Sequence, residues 1–492
     1  MTDCKADDVL YAKETELLNW KNNNVYTEVE DEGQSAMSVR WVVTRKVKSG
    51  RQVTKARLVA RGFEESSKEF RTDSPTCAKE TLRVAFLLIA SNGWSCNSLD
   101  IKSAFLQGGE IERDLLVRPP REVTTGKLWK LRKTVYGLCD APRAWYMSVK
   151  GAVTELGMTV CNLDQALFFY FVGNKLEGIM CIYVDDFLWA GTERFENRVI
   201  HPIKAQFKVG STASGGFKYV GITIGKNRDG SLTVDQLDYA KTLIAAPVSA
   251  TRNRSGLLTP EEKKQYRAMV GQLSWIATQT RPDISFDVCE LSSVFEKATV
   301  EDMLRANKVV KKVQDRAVAV RFPKLSDRNL TVECFSDASF GNLSSGGSQG
   351  GYVIFVRDLE GNRCPIAWQS RRVRRVVKST IAAETLALLD AAEAGVFYSV
   401  LLAQALGVPE GNIPVMCSVD NKSIAEAAYS TTAVEDKLLR INVAVLRDML
   451  SSGRISNIEW VRSTKQLADV LTKKGACPRP LLAAIGECST LH

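Results

Sequence analysis

Two aspartates stand side by side in GIMCIYVDDFLWAG (residues 178–191), between two apolar runs and with no Gly, Asn or Pro at their junction. Adjacent carboxylates between apolar strands are costly to desolvate unless a cation or a partner accepts them. The alternative is an ordinary hairpin turn with solvated acids. A third acid, Asp100, ends the strand-like SLD and is followed by IKSAFLQG, so its carboxylate can leave a sheet beside Asp185. Asp100, Asp185 and Asp186 on two adjacent strands can hold two Mg²⁺ ions roughly 4 Å apart, which activates an attacking oxygen and stabilises a leaving one. That is phosphoryl-transfer chemistry. Mg²⁺ prefers oxygen ligands, with Mn²⁺ the expected substitute.

A second set of acids lies near the C-terminus. Asp337 follows LTVECFS, and Asp420 ends VMCSV. Glu384 sits in TIAAETLALLDAAE beside positions 381 and 388, at the edge of a helix's apolar stripe. Asp469 opens a predicted helix in QLADVLTKK. Asp420 reads equally as a turn or cap, and Asp469 as a first-turn acid favoured by the helix dipole. Together, four acids at two strand ends and two helices can converge on one two-metal site. Carboxylates are the expected catalysts because other chemistry lacks its residues. The 12 cysteines form no CxxC pair and the 2 histidines, His201 and His492, provide no zinc spacing and little scope for a Ser-His or Cys-His pair.

Elements able to position these groups are legible in the spacing. Val39, Trp41 and Val43 alternate with basic residues across 38–61, predicting a basic hairpin that turns at Ser49-Gly50. Helices are expected at 79–91, 102–107 and 140–156, with a strand at 99–101 and paired strands at 178–191. From 235 to 322 the pattern is mostly helical, clearest at Tyr266–Ala277 and Glu301–Val318, with no strand pair to close a core. Beyond Pro323 strands are expected at 330–336, 350–356, 366–368, 414–419 and 457–461, and helices at 379–394, 434–450 and 466–473. This is a mixed α/β (α+β) pattern with a boundary near 325. The 492 residues suffice for two to four domains, and no apolar run near the ~18 residues of a membrane span stands out. With an N-terminus too charged for a signal peptide, the chain is expected to be intracellular. A net charge of +10, locally dense in RRVRRVVK (371–378), suits a polyanionic partner, though a charge run also reads as a solvated face.

The blocks KARLVARGFEE (55–65), SLDIKSAFLQGGEIERDLLVRPP (98–120), LWKLRKTVYGLCDAPRAWY (128–146), CIYVDDFLWAG (181–191), FKYVGITI (217–224) and YRAMVGQLSWIATQTRPDISFDVCELS (266–292) resemble, in order, the reverse transcriptase of copia-type LTR retrotransposons. FSDASFG, STIAAETLAL, SVDNKS and KQLADVLTKKG resemble its ribonuclease H. The resemblance runs from about Trp41 to Gly475. It implies a right-hand polymerase followed by a ribonuclease H-like domain: an N-terminal polar helix (1–24), fingers and palm (25–250), a helical thumb or connection (251–325) and the nuclease domain (326–492).

By the same resemblance Asp100, Asp185 and Asp186 are the polymerase acids, with the Ile101 carbonyl a further metal ligand, and Asp337, Glu384, Asp420 and Asp469 are the nuclease acids. Lys55 and Arg57 would neutralise the incoming triphosphate, Gly137 would let the backbone approach the nucleotide, and Tyr219 and Gly221 would hold the primer. Phe105 stands where the family places an aromatic ring over the nucleotide sugar, although it also reads as core. Implied partners are an RNA template, a DNA primer, the RNA–DNA hybrid and deoxynucleoside triphosphates, without a membrane, in cytoplasmic virus-like particles or the nucleus. One departure is visible: Leu438 or Leu439 replaces the family's histidine in EDKLLRINVAVLRD. An inactive or domesticated copy that only binds hybrid duplex is the second reading.

Overall fold

The computed structural model describes residues 3–48, 51–65, 70–249, 251–326, 329–343, 346–430 and 436–486. It divides into two compact units, one of residues 1–77, 97–171 and 177–213, the other of 78–96, 172–176 and 214–492.

In the first unit the basic hairpin forms as its alternation demands. Val39–Lys48 pairs antiparallel with Arg51–Ala60 in continuous register from Val39↔Ala60 to Lys48↔Arg51, while its expected turn at Ser49-Gly50 lies outside the described residues. Ala56, Leu58 and Ala60 are buried, whereas Lys55 is exposed and Arg57 half-buried on the opposite face. The Asp3–Asn22 helix lies along this strand, and its buried Glu16 accepts the Leu58 N–H at 3.3 Å. A six-stranded sheet follows, in the order Val209–Ser214, Asn97–Ile101, Asp186–Gly191, Lys175–Tyr183, Leu167–Val172, Thr159–Val160. The Ala141–Glu155 helix seals it with Trp145, whose ring stacks on Phe187 and meets Phe207 edge-on. The expected helix at 102–107 shrinks to a 3₁₀ turn, Ala104–Gln107, because Ser103 before it adopts a left-handed φ of 53°.

The second unit holds two sheets. Phe217–Tyr219, Ile222–Lys226, Leu232–Asp235 and Ala319–Phe322 form a four-stranded sheet, while among the described residues of 236–318 the named elements are helices, as the pattern predicts. The helix expected to reach Val318 ends at Asp315, and the apolar Ala319–Phe322 extends along Leu232–Asp235 instead. Helices Pro260–Gln279 and Val300–Asp315 each start on a capping box, Thr259/Glu262 and Thr299/Asp302, and share an apolar core around Tyr266, Leu273 and Val310.

The C-terminal five-stranded sheet is mixed, in the order Arg363–Arg372, Gln349–Arg357, Thr331–Ser339, Val415–Val419, Asn457–Trp460, antiparallel through the first three and parallel thereafter. The Thr380–Leu406 helix crosses the central strand at Gly395, where a Cβ would stand 2.5 Å from Cys334 Sγ. By length and composition this helix could cross a membrane, contrary to the expectation from the sequence; 56 % of its apolar window is buried within the protein. A helix at Lys422–Tyr429 was not foreseen, and 466–473 holds no α-helix, only a 3₁₀ turn at Asp469–Leu471.

A single buried cation joins three elements of this unit. Arg83, on the Lys79–Ser91 helix, stacks its guanidinium 3.6 Å from the Trp368 ring and donates to the carbonyls of Ile366, Thr278 and Gln279 at 3.1, 2.5 and 3.1 Å. Trp368 Nε1 donates to Ala277 O at 2.8 Å. The last-turn carbonyls of Pro260–Gln279, which lack partners within their own helix, are thereby capped by a cation and an indole. Arg83→Leu should leave buried carbonyls unpaired and lower the unfolding free energy by about 3 kcal/mol or more, measured by urea denaturation.

Candidate active sites

The first acid cluster is built by strand register. Asn97–Ile101 alternates, with Leu99 and Ile101 buried and Asp100 half-buried on the other face. Asp100 lies directly opposite Asp186 in the antiparallel pairing with Asp186–Gly191, and the Ile101 N–H donates to Asp185 O at 2.8 Å. The neighbouring pairing of Tyr183 with Asp186 leaves a two-residue turn, Val184-Asp185. Val184 holds φ at +58°, a conformation a β-branched residue rarely adopts, where such hairpins favour glycine or asparagine. The buried Trp145 donates its Nε1–H to Val184 O at 2.7 Å and so secures the strained turn from beneath. Burial, followed by the charges of Asp185 and Asp100, pushes the Asp186 carboxyl up to about 6.

Gly210 went unnoticed in the sequence. A Cβ there would stand 2.3 Å from Asp100 Oδ2, so the Val209–Ser214 strand can pass the carboxylate only with bare backbone. Its entry is fastened by Gln107, which donates to Lys102 O at 2.6 Å and accepts the Lys208 N–H at 2.7 Å.

Of the predicted nucleotide residues, Arg57 and Phe105 share one partner, Tyr136. Arg57 lies 5.1 Å from the centre of the Tyr136 ring, and Phe105 meets the same ring edge-on at 5.2 Å. Burial pushes the Tyr136 hydroxyl up to about 12. Gly137 makes the close approach its residue type suggests, but to the chain itself: at φ +97° a Cβ would stand 2.0 Å from Ala60 O, and one on Gly62 would stand 2.4 Å from Gly137 O. The two glycines let the Tyr136 turn lock onto the end of the basic hairpin, where the Ala60 N–H donates to Tyr136 O at 2.8 Å. Tyr219 and Gly221 belong to the other unit. Tyr219 is buried, and Val220-Gly221, both at positive φ, form the two-residue turn between Phe217–Tyr219 and Ile222–Lys226.

The second cluster closes more tightly. Ligand oxygens of Asp337, Asp420 and Asp469 all lie within 4.8 Å of one another, the one such acidic group among the described residues. Asp337 is buried on the central strand opposite Gly351, where a Cβ would stand 2.7 Å from Leu471 Cβ; the bare position admits the turn carrying Asp469. Two carbonyls at the end of that segment are held by side chains of the sheet. Ser370 donates to Leu471 O at 2.5 Å and Ser339 to Thr472 O at 2.8 Å. Asp420 follows Val415–Val419 and accepts from Ser463 Oγ at 2.9 Å. Glu384 lies in the second turn of Thr380–Leu406, and burial, then Asp337 and Asp420, push it up to about 7. Burial pushes Asp337 up to about 6, with Lys473 opposing. The donors are all carboxylate oxygens, so the trio fits a hard divalent cation. Leu438 is exposed and with Leu439 borders a recess of about 140 Å³ beside Arg375 and Lys378.

Asp186, Asp337 and Glu384 all hold protons more tightly folded than unfolded. Between about pH 4 and 7 the native state therefore binds more protons than the unfolded chain, and stability falls as pH rises. The metal-free melting temperature should decline across this window, and a divalent cation should raise it more at pH 7.5 than at pH 5. A flat profile would show that neither burial nor the neighbouring acids raise these carboxyls.

Residues 23–262 match the family of reverse transcriptases (RNA-dependent DNA polymerase). The chain is 26 % identical over 455 residues to the retrovirus-related Pol polyprotein from transposon RE2 of Arabidopsis thaliana, covering 88 % of this chain and 30 % of that protein. It is 24 % identical to the corresponding polyprotein from transposon TNT 1-94 of Nicotiana tabacum, covering 99 % and 38 %. It thus spans about a third of the length of these curated relatives. In fold it resembles the foamy viral protease-reverse transcriptase solved in complex with double-stranded DNA, with a TM-score of 0.50 and 13 % identity over 93 % of this chain and 70 % of that one. With the paired aspartates of the first sheet inside the matched span and the relatives aligned across most of its length, residues 23–262 match a reverse transcriptase domain and the chain resembles the Pol polyproteins of copia-type transposons.

Proposed function

We propose that this protein copies RNA into DNA at the first acid cluster and cleaves the RNA strand of the product hybrid at the second. The observation that carries the reading is the register that sets Asp100 opposite Asp186 and fastens Ile101 to Asp185, three acids and a backbone segment gathered on two adjacent strands. Asp100, Asp185, Asp186 and the Ile101 carbonyl would hold Mg²⁺ at one site, and Asp337, Glu384, Asp420 and Asp469 at the other. Bound there, paired Mg²⁺ supplies Lewis-acid activation of an attacking oxygen and charge stabilisation of a leaving one. In this reading residues 25–250 form fingers and palm, 251–325 a thumb or connection, and 326–492 the nuclease.

Around the first cluster each side chain then has a task. Lys55 and Arg57 stand on the open face of the hairpin to neutralise a triphosphate, and Tyr136 orients the Arg57 guanidinium through its ring. Phe105, fixed edge-on against Tyr136, presents its ring to the sugar. In the same C-terminal domain Arg371, Arg372, Arg374 and Arg375 line a recess of about 550 Å³ with Asp390 and Glu393, where Arg371 pairs with Asp390 and the remaining arginines leave a basic excess suited to a phosphate backbone.

Primer extension on a labelled RNA template with Mg²⁺ tests both halves. Asp185→Asn removes one charge at nearly constant volume and should reduce DNA synthesis by orders of magnitude while hybrid cleavage persists; Asp420→Asn should do the reverse. Loss of both activities from either change in a folded protein would refute two independent sites, and absence of both in the unaltered protein would leave a duplex-binding relic. Phe105→Ala should raise ribonucleotide incorporation, read as a fall in the ratio of kcat/KM for a deoxynucleotide to that for its ribonucleotide. If stability drops and that ratio holds, Phe105 is core alone.

A further inference from the structure

Between two acids of the second cluster a cation is already seated. Lys473 Nζ lies 2.7 Å from Asp469 Oδ1 and 3.2 Å from Asp337 Oδ1. The preceding residue, Thr472, donates its hydroxyl to the other oxygen of Asp337, so both Asp337 oxygens are engaged by consecutive residues. The arrangement follows from the 3₁₀ turn at Asp469–Leu471, after which the chain places residue 473 back over residue 469, its backbone N–H donating to Asp469 O at 3.0 Å. A divalent ion bridging Asp337 and Asp469 through these two oxygens would occupy the place of the ammonium, and its charge would repel a cation that stayed there. Ammonium and metal therefore exclude one another at this seat. The lysine is free to leave: its side chain retains 40 % exposure and carries a flexible four-carbon stem, whereas Asp337 is held on the central strand of the sheet at 1 % exposure.

We propose that Lys473 is a built-in counter-ion of the second acid cluster, which holds Asp337 and Asp469 together in the metal-free protein and must be displaced before a divalent cation bridges them. The proposal rests on reading the cluster as a metal site. It assigns Lys473 a positioning role and makes it the residue that sets the cation concentration at which the site fills. Without the ammonium the carboxylates repel one another in the empty protein, yet an incoming metal meets no competitor. Removing the charge should therefore weaken the metal-free fold and strengthen metal binding at once. A lysine that merely packs would weaken the fold and leave affinity alone.

The test uses the full chain carrying Asp185→Asn and Asp186→Asn, which disables the first cluster, with Mn²⁺ titrated calorimetrically at pH 7.5. Lys473→Met should bind Mn²⁺ roughly tenfold more tightly than the chain retaining Lys473, and melt at a lower temperature when metal-free. Lys473→Gln keeps the length and an amide donor without the charge; it should show the same tightening, and it serves if the Met variant does not fold without metal. Equal affinities for the Lys, Met and Gln chains would overturn the counter-ion role while leaving the metal site standing. Failure of all three to bind Mn²⁺ would overturn the metal site itself, and this proposal with it.

Discussion

Like charges repel, and both candidate sites gather carboxylates in partly buried surroundings where that repulsion is weakly screened. Much of the local structure answers this constraint. In the first cluster the acids are fixed by backbone register, which no single side-chain rotation can undo: Asp100 faces Asp186 because their strands pair, and Asp185 is carried on the turn that joins Lys175–Tyr183 to Asp186–Gly191. In the second the acids come from distant parts of the chain and are fastened by side-chain bonds, with Ser463 on Asp420 and Thr472 and Lys473 on Asp337. Burial first, and then the neighbouring acids, displace the Asp186, Asp337 and Glu384 carboxyls upward.

Rigid support follows from it. A turn with Val184 in the left-handed region would relax were it not tied to Trp145, itself locked between Phe187 and Phe207. The glycines at 62, 137, 210 and 351 mark the opposite device, places where backbone must pass a neighbour closer than any Cβ permits. Two of them join the basic hairpin to the Tyr136 turn, one clears Asp100, and one admits the turn that brings Asp469 to Asp337.

Within the second unit, buried arginines also tie elements together. Arg83 caps the Pro260–Gln279 helix while stacking on Trp368 of the five-stranded sheet. Arg281, buried against Asp283, donates to Val313 and Arg316 carbonyls at the end of Val300–Asp315. Each planar guanidinium satisfies several carbonyls at once, which an ammonium with its compact charge does less well. Through Arg83 and Trp368 the helices and the C-terminal sheet share buried polar bonds.

The amino-acid sequence determined the chemistry and most of the local elements. Adjacent aspartates between apolar runs, the scarcity of histidine and the alternation of Val39 to Val43 needed no coordinates, because period and residue type act over a few positions. The family blocks likewise marked all seven acids. Misreadings fell where local preference yielded to distant partners. Residues 319–322 became a strand because an edge at 232–235 awaited them, and 466–473 holds only a 3₁₀ turn, fastened to the sheet by Ser339 and Ser370. Gly137 kept its predicted closeness but turned it toward Ala60. Tyr136, Trp145, Gly210, Gly351 and Lys473 carried no signal of their own, since an aromatic, a glycine or a lysine acquires such a role only from what tertiary contact sets beside it. Residue type fixed which groups could do chemistry, and long-range packing alone fixed which of them would meet.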